Sequence, residues 1–221
     1  MKKILFLVVS VLLTSLPVMA QWAETIVPSK KNAFFLGPKA GVTFASMSQP
    51  QQGTLADGMG VGYSGGLAMK LRFGKATEDS DGGTGLLGLG IEAKYVMNNV
   101  KAVGGDKMSF GFVEVPIMFQ IYPFKKSSGM NSFMIEVGPD FAFNLSSTPD
   151  VVVANNVSYQ IGSLKPNDVR VLLGLGYTIP GTGLDINARY YLGTSSMAQN
   201  MTSKMSMIEV SLSYLFRVAK F

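Results

Sequence analysis

The 221-residue chain has no cysteine and no histidine. The first absence rules out disulfides, thiolate nucleophiles and Cys-ligated metals. The second rules out Ser-His and Asp-His hydrolases and His-ligated metal sites. Charged residues are also scarce. They make up 15% of the chain, against about 25% in an average soluble domain. The hydrophobic share is nonetheless 47%. Beyond the N-terminus no apolar run approaches the roughly 18 residues that a membrane helix needs. Formal charge is only +5, with no basic cluster, so no nucleic-acid partner is expected.

The first twenty residues, MKKILFLVVSVLLTSLPVMA, form a leader. Lys2 and Lys3 supply the charged end, Ile4 to Leu13 the apolar stretch, and Val18-Met19-Ala20 a small-x-small cleavage site. The stretch is too short for an anchor and is followed by Thr14, Ser15 and Pro17. No Cys follows Ala20, which excludes lipid attachment there. The chain is therefore expected to be exported, with 1–20 a signal peptide, 21–32 a periplasmic lead-in and 33–221 one domain.

A period of two runs through that domain. It predicts about eight strands, near 33–46, 60–74, 85–98, 107–124, 132–146, 167–180, 183–194 and 204–217. The stretch Ile208, Val210, Leu212, Tyr214, Phe216 is apolar at every second position, with Glu209, Ser211 and Ser213 between. In another stretch Leu87, Leu89, Ile91, Ala93 and Tyr95 oppose Gly88, Gly90, Glu92 and Lys94. The apolar sides carry almost no charge over nine to eleven residues, the length of a tilted membrane strand. A soluble sandwich would place the charged side outward. A membrane barrel places it inward. The expected fold is all-β: an eight-stranded, antiparallel, up-and-down transmembrane barrel in the outer membrane of a Gram-negative bacterium.

An eight-stranded barrel is just wide enough to be filled by side chains. The expected lumen is therefore polar and plugged. Its charged lining is Lys39, Lys70, Arg72, Glu92, Lys94, Glu114, Glu136, Asp140, Arg170, Asp185, Arg189 and Glu209. Six cations would meet six anions, because a charge withdrawn from water needs a partner. Arg170 and Arg189 have Asp185, Glu209, Glu136 and Asp140 as candidate partners. Lumenal glycines, among them Gly138, Gly174 and Gly176, would make room for the long side chains. Tyr122, Phe124, Tyr177 and Tyr190 are expected in an interfacial aromatic girdle.

The connections alternate in length. With the N-terminus in the periplasm, the outside loops would be 47–59, 99–106, 147–166 and 195–203. The inside turns would be 75–84, 125–131 and 181–182. The longest loop then faces out and the tightest turn faces in.

Several short blocks resemble the PorT-like outer-membrane β-barrel family of Gram-negative bacteria. FVEVPIMFQIYPF (Phe112 to Phe124) resembles that family's YLEIPL-type strand. LGPKAGVTFA, LGIEAKYVM, VGPDFAF, LLGLGYTI, ARYYLG and IEVSLSYLF fall in the family's order along almost the whole mature chain. The resemblance implies a small barrel placed by the barrel-assembly machinery, in a family that includes a protein linked to secretion. It implies no catalytic residue. Tyr214 with Phe216 or Phe221 would supply the C-terminal aromatic assembly signal, since RVAKF continues past Phe216.

Other chemistry finds little support. GTGLLG (Gly83 to Gly88) has dinucleotide-loop spacing but lacks the strand-to-helix setting. Glu114, Glu136 and Asp140 could pair as in glycoside cleavage, and are read instead as ion-paired lumen residues. Asp150, Asn155, Asn156 and Asp168 lack the spacing of a calcium loop. No cofactor, metal or catalytic residue is expected. The reading that follows is a structural barrel, in contact with outer-membrane lipid, whose loops 47–59 and 147–166 bind a protein or surface ligand. A small porin-like channel is the alternative, and a lipid-modifying enzyme a third reading.

Overall fold

The structure is a computed structural model. It describes residues 32–47, 56–73, 87–102, 107–124, 132–148, 151–154, 157–160, 167–194 and 204–220. The leader 1–20, the lead-in apart from Asn32, residues 48–55 of the first loop, Asp150, Asn155, Asn156 and Phe221 lie outside the described residues.

Among the described residues eleven strands follow one another: β1 (Ala33–Met47), β2 (Ala56–Phe73), β3 (Leu87–Ala102), β4 (Lys107–Ile121), β5 (Phe133–Thr148), β6 (Val151–Ala154), β7 (Val157–Gln160), β8 (Asn167–Thr178), β9 (Leu184–Gly193), β10 (Met205–Tyr214) and β11 (Phe216–Lys220). β6 and β7 form a separate hairpin within the expected 147–166 loop. The others pair in the order β10-β9-β8-β5-β4-β3-β2-β1-β11, and β10 also pairs with β1. All these pairings are antiparallel, so the sheet closes on itself. β10 and β11 are two segments of one stave, both alongside β1. The result is a closed eight-stranded barrel.

Two strand boundaries differ from expectation. β2 starts at Ala56 and β3 reaches Ala102, so the wall stands higher at that end than the predicted 60–74 and 85–98. Gly58 falls in the predicted loop 47–59, and Gly60 and Gly62 in the predicted strand 60–74. In the fold all three are strand residues, and the ladder passes them with register shifts. At Gly60 and Gly62 a Cβ would stand about 2 Å from the carbonyls of Asn99 and Met97, so glycine is what lets β2 lie this close to β3.

The predicted last strand, 204–217, is broken. Leu215 leaves the ladder and turns inward, only 7% exposed, and its N–H donates to Gly183 O at 2.7 Å. The tight turn beneath it needs glycine: Gly181 and Gly183 hold φ of 77° and 74°.

The two sides of the wall differ as alternation requires. Leu67, Phe119, Val137, Leu173, Leu175, Leu212 and Phe216 are exposed outward. Near the 178–184 turn and at mid-height the inside is polar. Toward the opposite rim, where the β5–β8 connection lies, the sides exchange character. Ala45, Val96, Val100, Met108, Phe110, Phe112, Leu172, Met205 and Met207 pack together as a buried apolar cluster. Outside them the wall carries Ser46, Lys101, Lys107, Ser109 and Ser206, paired in register across strands. Asn99 and Ser109 hydrogen-bond there at 2.7 Å. The lumen is thus polar over only part of its height. The expected polar lumen is found near the 178–184 turn and at mid-height, while at this rim the staves resemble a water-soluble barrel, polar outside and apolar within.

Candidate functional site

The inward positions of the eight staves converge on one axis at mid-height. Each of the twelve charged side chains named from the sequence is buried there or just below, at 6% exposure or less. Arg189 on β9 reaches Glu92 on β3, its Nη1 donating to Oε1 at 2.7 Å. These staves are diametrically opposed: β8, β5 and β4 separate them on one side, β10, β1 and β2 on the other. Arg189 also grips Glu136 on β5 at two points, Nε to Oε2 at 2.6 Å and Nη2 to Oε1 at 3.1 Å. Lys39 Nζ donates to the second oxygen of Glu92 at 2.7 Å.

Glu209 is a second hub. It accepts from Lys94 Nζ at 2.5 Å, from Tyr191 OH at 2.6 Å and from Ser64 Oγ at 2.6 Å. Lys94 continues to Glu114 at 3.2 Å. Arg170 bridges Glu114 and Asp140, with Nε to Asp140 Oδ2 at 2.8 Å. Lys39, Lys94, Arg170 and Arg189 thus interlock with Glu92, Glu114, Glu136, Asp140 and Glu209 in one connected network. Lower down, toward the 178–184 turn, Lys70 pairs with Asp185, which also accepts from Thr178. A group so enclosed is stabilised only while its partners are present.

The expected partners of the two arginines are partly different. Arg170 does not meet Asp185 or Glu209, and Arg189 does not meet Asp185, Asp140 or Glu209. Glu209 stands opposite Arg189 in register and is taken up instead by Lys94, Tyr191 and Ser64, whereas depth separates Arg170 from Asp185. Arg170 stands opposite Gly193, near the far end of β9, while Asp185 stands opposite Thr178 beside the tight turn.

Tyr122 is a correction. It was expected in the outer girdle and lies inside, 1% exposed. Its hydroxyl donates to Gln120 Oε1 at 3.0 Å, and the Arg72 guanidinium sits 3.9 Å from its ring centroid. Gln120 in turn donates to Glu136. The signal was available, since Tyr122 has the same parity as Glu114 and Gln120. Phe124 and Tyr190 do face outward, at 40% and 42% exposure. Tyr214 and Phe216 also face outward, their rings edge to face at 4.7 Å between centroids.

Glu114, Glu136 and Asp140 are all engaged by arginines. They do not form a free carboxylate pair facing a substrate cleft. Among the described residues no group of three or more His, Cys, Asp or Glu side chains could hold a metal ion. Asp168, the described member of the calcium candidates, is buried at 8% exposure. What the site can do chemically is tie opposite walls of the barrel together.

Residues 19–199 match the family model described as outer membrane protein beta-barrel domain. No curated protein matches. Among solved structures the chain is similar to Neisserial surface protein A (NspA), at 14% identity over 83% of this chain and 97% of that one, with a TM-score of 0.44. It is similar to Ail, the attachment invasion locus protein of Yersinia pestis, at 12% identity over 83% and 99%, with a TM-score of 0.43. A third is the outer membrane protein OprG from Pseudomonas aeruginosa, at 14% identity over 87% and 100%, with a TM-score of 0.42.

Proposed function

The chain belongs to the outer membrane protein beta-barrel domain family, and from that premise we propose that it is a plugged anchor that acts through its loops, without a conducting lumen or a catalytic step. It sits in the lipid of a Gram-negative outer membrane. The tight 178–184 turn faces the periplasm and the β5–β8 connection faces out, as is general for such barrels. The loops at 47–59 and 147–166 are then the surface offered to a protein or surface ligand. The β6–β7 hairpin within the second gives that loop a framework of its own.

The single observation that carries this reading is the Arg189–Glu92 contact, 2.7 Å across the full width of the lumen. A solute would have to part a buried, multiply bonded ion pair to pass. The apolar cluster around Phe110 lies in series with it. The sequence blocks from Phe112 to Phe124 and from Ile208 to Phe216 support a place among PorT-like barrels. The outward Tyr214 and Phe216 support an aromatic signal read by the assembly machinery, with Phe221 the other candidate.

Planar-bilayer recording of the pure refolded protein tests the plug. The expected trace is silent. Stable, repeated unit steps would establish the porin-like reading instead.

A further inference from the structure

We propose that a notch in the wall at the periplasmic rim binds the phosphate of an anionic glycerophospholipid from the inner leaflet. The notch exists because the last stave is broken. β10 stays paired with β9 as far as Tyr214, opposite Leu184. β11 runs on alongside β1 and, among the described residues, has no other neighbour. β9 begins only at Leu184, so beyond Leu215 one side of the stave is open.

A cavity of about 240 Å³ occupies this place. Lys70, Arg72 and Tyr122 line it from the lumen, Thr182 from the turn, and Phe216 and Arg217 from the broken stave. Three of these are cations, and none of the described lining residues is acidic. Arg217 and Lys70 both stand opposite Phe35 in register, on the two sides of β1, so they share the inner face. Lys70 is held by Asp185 and Thr178. Arg72 is stacked on Tyr122, which fixes the plane of its guanidinium. Arg217 is exposed at the mouth. A planar, preoriented guanidinium with a second one free to close over the ligand suits phosphate oxygens.

The wall residues select a lipid over a soluble anion. Tyr214 and Phe216, also part of the lining, are 44% and 55% exposed on the outer face. That face carries Val210 and Leu212, the side turned to acyl chains. The cavity therefore passes from lumenal cations to lipid-facing aromatics. A headgroup phosphate can enter through the notch while its chains lie along Phe216 and Leu212. The volume is below that of a drug-sized pocket, which starts at about 300 Å³, and suits a phosphate with part of its glycerol.

The test is calorimetric titration of the full mature chain, refolded in neutral detergent, with three soluble probes: dihexanoyl phosphatidylglycerol, dihexanoyl phosphatidylcholine and inorganic phosphate. Phosphatidylglycerol is expected to saturate at one per barrel, with phosphatidylcholine about tenfold weaker because its headgroup adds a cation. Arg217→Gln, at an exposed position that leaves the barrel intact, is expected to weaken phosphatidylglycerol about fivefold or more. Arg72→Gln is expected to do the same, with heat-modifiable gel migration checking that it is folded. Equal binding of the two lipids, no saturable binding, or an unchanged affinity in a folded Arg217→Gln variant would overturn the site. Inorganic phosphate binding as tightly as phosphatidylglycerol would overturn the lipid assignment and leave a soluble-anion site.

Discussion

Arg189 holds Glu136 by two parallel contacts, 2.6 Å from Nε and 3.1 Å from Nη2, while its remaining nitrogen, Nη1, reaches Glu92 on the far wall. All three side chains are almost fully buried. Truncating the arginine would leave two carboxylates enclosed with fewer partners, Glu136 with Gln120 and Glu92 with Lys39. Breaking a buried pair from one side costs about 3–5 kcal/mol. Arg189→Ala is expected to lower stability by that amount in urea unfolding from lipid vesicles. Arg189→Lys should recover only part, since an ammonium cannot make the two-point contact.

Leu173 tests which side faces lipid. It is 53% exposed and stands between Val137 and Tyr190 on neighbouring staves. Near the bilayer midplane Leu173→Arg should cost about 2–4 kcal/mol. Leu173→Phe should change the urea midpoint little, because an acyl chain yields where a packed core does not. A barrel turned inside out would reverse the pattern: Leu173→Phe would be costly through overpacking, and Arg189→Ala nearly neutral.

Two glycines separate close packing from open wall. A Cβ on Gly138 would lie 1.9 Å from the Ile117 carbonyl oxygen, while on Gly65 the nearest atom would be 4.0 Å away. Gly138→Ala must push β5 off β4 and is expected to cost about 1–3 kcal/mol. Gly65→Ala should leave the unfolding midpoint within error of the parent. Thermal gel-shift assays of the two variants side by side would read the difference.

Alternation carries the side of a residue and not its height. Side is why eight staves, and the inward positions of the charged residues, could be read from a period of two. Height is set by register, and register depends on turn lengths and on bulges such as that between Gly111 and Phe112. So the sequence could place Arg170 and Asp185 on the same interior without showing that they lie at different depths. The apolar layer at the loop rim was hidden for a related reason. Met108, Phe110 and Phe112 have the same parity as Glu114, but an apolar residue is read by habit as lipid-facing. The membrane covers only part of each stave, and above it the rule reverses. The break at Leu215 follows from the bond to Gly183, a contact far away in sequence.

The last prediction concerns the two blocks in series. In the proposed plug the Arg189–Glu92 bridge spans the lumen at mid-height, and Met108, Phe110 and Met205 pack together toward the loops. Removing both bridge partners, as in Glu92→Ala with Arg189→Ala, spares Glu92 from burial without the arginine but takes from the buried Lys39 its partner at 2.7 Å. The space left is polar and should fill with water. The variant is nonetheless expected to stay silent in planar bilayers, because an apolar constriction stays dry and resists ions. Phe110→Ala alone should be silent too, with the charged layer intact, although losing a buried aromatic costs about 3–5 kcal/mol of stability. Only the triple variant opens both layers, and it is the one expected to give unit conductance steps. Steps from the Glu92→Ala/Arg189→Ala pair alone would mean that the apolar layer does not seal. Silence from a triple variant shown to be folded by gel shift would mean that a third element, outside these two layers, also blocks the path.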